Sequence, residues 1–134
     1  MANINAVKTD LNKEENGTWI EFALGIRLKI ARARNPRYQE RLRELTDPHR
    51  KDIREDKADL KQMAKILKKV RAETILLDWE NIEDESGQPI PYSSEKALEF
   101  FNDNELKDFY SFVVLSSEQI DNFKKDLVEE SEKN

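Results

Sequence analysis

Between Thr18 and Ile30 every even position from 20 onward is apolar: Ile20, Phe22, Leu24, Ile26, Leu28 and Ile30. Glu21, Arg27 and Lys29 interrupt at odd positions. That two-residue period belongs to a half-buried strand, not to a helix. One strand of this length would far exceed the usual run of about five or six residues, and Gly25 stands near its middle. The pattern predicts an antiparallel hairpin with an odd-numbered loop centred on Gly25, pairing Phe22 with Leu28 and Ile20 with Ile30. Such a register keeps the apolar side chains on one face, whereas a two-residue loop would pair odd with even positions. A lone ribbon is marginal in water until that face is covered, so the rest of the chain must cover it.

The cover reads as helical. Only three of the 134 residues are glycine, and 38% are charged. Asn35-Pro36 is a helix start, with an N-cap and proline at the first position. Tyr38, Leu42 and Leu45 follow at spacings of four and three, and the helix should end near Thr46. Asp47-Pro48 then opens a short second segment. From Lys57 to Glu80 a long helix is expected on the stripe Leu60, Met63, Ala64, Leu67, Val70, Thr74 and Leu77. Ile66, Ile75, Leu76 and Trp79 widen that stripe.

Residues 81–92, with Gly87, Pro89 and Pro91, read as an irregular connection. Ser93 caps a last long helix carrying Ala97, Leu98, Phe101, Leu106, Phe109, Phe112, Val113, Ser116, Ile120, Phe123 and Leu127. Ser116-Ser117 is the place where it would break. The expected fold is α+β, a mostly α-helical single domain with an N-terminal antiparallel β-hairpin packed against helices. Residues 1–17 read as a flexible arm, 18–128 as the domain and 129–134 as a frayed tail.

Composition narrows the chemistry. The absence of cysteine removes disulfides, thiolate metal sites and a Cys nucleophile. One histidine, His49, excludes any His pair, and its place among charges suits a surface residue. Glu83, Asp84 and Glu85 lack the alternating ligands of a calcium loop and read as a solvated acidic turn. Asp78 and Glu80 flank Trp79 without a recognisable acid–base partner set. No enzyme, cofactor or metal site is expected. The first residues lack a signal-peptide pattern, and apolar runs such as Ile75-Leu76-Leu77 fall far short of the roughly 20 residues a membrane span needs. A cytoplasmic setting is expected.

Charge is unevenly distributed. Residues 1–26 carry −2, residues 27–71 carry +9 and residues 72–134 carry −12. Such polarity can join two parts of one molecule or two copies. The basic stretch also suggests an alternative, a small nucleic-acid-binding regulator that uses residues 27–71 for phosphate contacts. Against it stand the interleaved acids Glu40, Glu44, Asp52, Glu55, Asp56 and Asp59, and the lack of aromatics there other than Tyr38.

Four segments in order carry a family likeness. They are Leu28-Lys29-Ile30-Ala31-Arg32 followed by Asn35-Pro36-Arg37-Tyr38; Leu77-Asp78-Trp79-Glu80-Asn81-Ile82; Gly87-Gln88-Pro89-Ile90-Pro91-Tyr92-Ser93; and an Ala97-Leu98 helix leading to phenylalanines. Across roughly residues 18–127 the chain resembles the tail assembly chaperones of long-tailed bacteriophages and prophages. The resemblance implies a non-enzymatic factor, working in the host cell cytoplasm and absent from the mature virion. It would bind the tape measure protein, keep it soluble and help recruit tail tube subunits. Self-association is implied too, as is a longer product made by ribosomal frameshifting near the end of the gene, where Lys133-Asn134 permits A-rich codons.

The family offers no catalytic residues to carry over. The C-terminal stripe, however, has more apolar length than a small hairpin can cover. Phe109, Phe112, Ile120 and Phe123 are therefore the expected protein-binding residues, for another copy or for a client.

Overall fold

The fold is taken from a computed structural model that describes residues 1–126. Leu127 and the tail at 129–134 lie outside the described residues.

The segment read as an arm holds a 3-10 turn at Ile4–Val7 and a short helix, α1 (Leu11–Asn16). Asp10 caps α1 by accepting from the Asn12 and Lys13 amides. The segment is tied to the far end of the chain. Asp10 N–H donates to the Phe123 carbonyl at 2.7 Å, and Lys125 N–H donates to Lys8.

The hairpin is present as β1 (Thr18–Ala23) and β2 (Ile26–Ile30). Its register corrects the expectation. Ile20 faces Leu28 and Thr18 faces Ile30, two residues away from the pairing foreseen. The turn is Leu24-Gly25, both with positive φ (55° and 81°), as a tight hairpin turn requires. A two-residue turn alone would have mixed odd with even positions. A bulge between Glu21 and Ala23 absorbs one residue, so even positions still meet even positions. The apolar face survives by that local irregularity.

Next come α2 (Pro36–Thr46), a 3-10 turn at Asp47–His49, and α3 (Arg50–Arg54). Asn35 accepts from the Tyr38 amide at 3.0 Å and is itself buried, so the cap is built into the core. The central helix α4 (Leu60–Thr74) starts at the Asp59 cap and stops well before Glu80.

Residues expected to prolong α4 instead form a third strand, β3 (Leu76–Glu80). It pairs antiparallel with β2, Leu28 opposite Trp79, giving the order β1-β2-β3. The physical reason is the open edge of β2, whose backbone groups need partners. Thr74 and Ile75, both β-branched, favour leaving the helix at that point.

The expected last long helix is also divided. α5 (Ser94–Asn102) is capped by Ser93, and Asp103 then caps a 3-10 turn at Asn104–Leu106. α6 (Lys107–Glu118) follows, and a 3-10 turn at Ile120–Phe123 closes the described chain. α4 packs between α2 and α5, and the sheet lies against α4, α5 and α6. Leu28, Ile30, Val70, Ile75, Leu76, Phe101 and Val113 form the centre. Among the described residues no helix is long and apolar enough to cross a membrane.

Candidate functional site

Aromatic rings run in an unbroken series across the sheet and its helical cover. Tyr92 meets Trp79 edge-on at 5.0 Å, and Trp79 stacks on Phe100 at 5.2 Å. Phe100 meets Phe109 at 5.8 Å, and Phe109 meets Phe22 at 5.7 Å. Phe22, the bulged residue, then packs on Phe112 at 4.8 Å. Each contact has edge, tilted or stacked geometry that aromatic pairs favour.

Above this series lies a groove of about 590 Å³. Phe22, Ile26, Ile82, Ile90, Phe100, Leu106 and Phe109 supply its apolar lining. Its rim is acidic and comes from two parts of the chain, Glu83, Asp84 and Glu85 from the loop, and Glu105 and Asp108 from the 3-10 turn at Asn104–Leu106 and the start of α6 that follows it. All five rim residues are exposed. Among the described residues no ion pair joins any of them to a Lys or Arg, Lys107 included.

The loop that makes one bank is firmly built. Ile90 N–H donates to Ile82 at 2.9 Å, and Asp84 N–H donates to Gln88 at 2.9 Å. The Asp84 carboxylate accepts from the Gln88 amide and from both the amide and hydroxyl of Ser86. The Gln88 bond first, and then the Ser86 hydroxyl, hold this carboxyl below the usual carboxylate range. Asp84 therefore folds the turn, while Glu83 and Glu85 face solvent. Trp79 Nε1 donates to the Ile90 carbonyl, and Asn81 Nδ2 reaches the Gly25 carbonyl at the hairpin tip. A second cavity of about 810 Å³ lies on the loop's other side and shares Ile82, Glu83 and Ile90 with the groove.

The four residues singled out from sequence separate. Phe109 and Phe123 are buried, at 6% and 0% exposure. Phe112 is half-buried beside Phe22, and Ile120 is 58% exposed. Phe109 and Phe112 come together around Phe22, whereas Phe123 closes the seam with the N-terminal segment. Ile82, Ile90 and Leu106, which the sequence analysis named without assigning them to binding, line the groove. Their signal was present as isolated apolar residues flanking acidic turns.

Several arginines of the basic stretch have partners. Arg41 bonds Glu73 and Glu44, and chiefly the Glu73 bond holds its guanidinium above its ordinary pKa. Arg27 meets Glu80, Arg32 meets Glu14, and Arg71 donates to the Tyr110 hydroxyl. These contacts engage four of the sixteen Lys and Arg between residues 27 and 71. No group of three or more His, Cys, Asp or Glu is placed to hold a metal ion among the described residues.

A family model described as YdaY prophage protein matches residues 33–134. The chain belongs to this family. The match to the YdaY prophage family includes β3, the acidic loop, α5 and α6, and thus every groove residue except Phe22 and Ile26. No curated protein and no solved structure matches the chain.

Proposed function

We propose that this prophage-family protein is a tail assembly chaperone. In this reading it binds the tape measure protein in the host cytoplasm, keeps it soluble, helps bring tail tube subunits to it, and leaves before the virion is complete. Membership of a prophage family and the order of the four sequence segments support the setting. The single observation that carries the client-binding role is the apolar groove with a carboxylate rim that forms no ion pair among the described residues. A tape measure chain exposes long apolar stripes before the tube encloses it, and such stripes aggregate. A reversible cover needs apolar area bounded by charge.

Exposed Leu24, Leu115 and Ile120 add apolar surface outside the groove and suit self-association or a wider client contact. The test is co-expression with the tape measure protein of the same prophage. The expected result is a larger soluble fraction of tape measure protein and its co-purification with this chain. Insoluble tape measure protein in both the presence and the absence of the chain overturns the reading.

A further inference from the structure

We propose that the groove takes a cationic amphipathic helix, apolar along one stripe and flanked on both sides by Lys or Arg. This deepens the chaperone reading by stating the chemistry of the client segment. The floor, with Ile82, Ile90 and Leu106, offers no counterpart for a polar face. The rim sets the sign of the flanks. Glu83 and Glu85 come from the loop, Glu105 from the 3-10 turn before α6 and Asp108 from the first turn of α6, so negative charge with no ion pair among the described residues is presented by two separate parts of the chain. A helix sends side chains to both sides of its apolar stripe, which places cations near both sources at once. Desolvating the floor while leaving the rim wet favours such a ligand over an acidic or neutral one.

A second copy fits less well. Its most lysine-rich helix, α4, turns Ile66 and Val70 into the core and exposes only Leu60 at its first position as a large apolar group. The exposed Leu115 and Ile120 lie beside Glu118 and Asp121, which bring the wrong charge.

The test is calorimetric titration of the whole protein with a synthetic helix-forming peptide of leucine and lysine at amphipathic spacing. Comparison peptides replace lysine by glutamate or scramble the order. The expected result is saturable binding of the ordered Leu/Lys peptide alone. The triple variant Glu83→Lys, Glu85→Lys, Glu105→Lys should weaken it by about tenfold or more. The triple variant Glu40→Lys, Glu95→Lys, Glu118→Lys changes net charge equally away from the groove and should weaken it by much less. Circular dichroism confirms that both variants are folded. Equal loss in the two variants, equal binding of the scrambled peptide, or no binding overturns the proposal. So does self-association that only the rim variant abolishes, because a second copy would then fill the groove. Rescue of the tape measure protein without peptide binding removes this inference and leaves the chaperone reading; binding without rescue does the reverse.

Discussion

The indole Nε1 of Trp79 donates to the backbone carbonyl of Ile90 at 2.7 Å. One hydrogen bond thus fastens the third strand to the loop that separates the two cavities, and it uses the only polar atom of a buried side chain. Trp79→Phe keeps a ring against Phe100 and removes the donor. The expected loss is about 2 kcal/mol, from the stranded carbonyl and the smaller ring, read by urea denaturation. Faster amide exchange at Ile90 should accompany it, since that N–H closes the loop onto Ile82. Unchanged protection at Ile90 counts against the fastening role.

Tyr92 gives a pH signature. Its hydroxyl donates to the Leu76 carbonyl at 2.6 Å, and burial, with the nearby Asp78 charge adding to it, pushes the phenol from 10.0 up to about 12. The folded state therefore holds this proton more tightly than the unfolded chain. The resulting stabilisation is complete below pH 10 and is lost as pH rises from 10 toward 12. Tyr92→Phe should be less stable at neutral pH by about 1 kcal/mol. It should also lose stability less steeply than the parent across the alkaline window, as measured by denaturant titrations at several pH values.

Gly17 and Gly87 make a paired comparison. Gly17 has φ 85° and ψ 164°, a region open essentially to glycine alone. A Cβ there would lie 3.1 Å from Lys29 Cγ and 3.3 Å from the Ile30 backbone. Gly87 also has positive φ, but a Cβ there meets open space. Gly17→Ala should cost about 2 to 3 kcal/mol and Gly87→Ala about 1. Thermal melts that show equal losses would remove close approach as the cause.

Leu24 is 99% exposed and held at φ 55°. Leucine is strained there, whereas asparagine visits this region readily. Leu24→Asn should raise stability by about 1 kcal/mol and create the Asn-Gly pair that such turns favour. A lower melting temperature would mean that the leucine packs usefully against the neighbouring cavity.

Local chemistry was legible wherever it decided the outcome by itself. Asn35 and Ser93 cap the helices assigned to them because a short side chain satisfies nearby amides whatever else the chain does. The alternation from Ile20 to Ile30 likewise announced the hairpin. Its register was hidden because a bulge at Phe22 costs one residue and leaves no mark on the parity of the pattern. β3 was hidden for a different reason. Leu76 to Trp79 fit the helical stripe as well as a strand, and the unpaired edge of β2, helped by the β-branched Thr74 and Ile75, decides between them. The groove depends on both facts, since Phe22 reaches it through the bulge and the loop following β3 supplies one bank. Single-residue patterns cannot show a site that exists only once a third strand is placed.

The seam at the two ends of the described chain has a consequence for synthesis. Lys13 Nζ donates to the Lys124 carbonyl across 111 positions, beside the Thr9–Lys124 bridge. On the ribosome, α1 emerges long before the backbone it grips. The sheet and the α2–α4 pair can condense during elongation, but this clasp has to wait until Phe123 and Lys124 have left the exit tunnel. The contacts of α1 with residues 123 and 124 are thus among the last in the described fold to form. A nascent chain stalled between the two would hold this segment through Arg32, which bonds Glu14 and Thr9, and lack the second half of its grip.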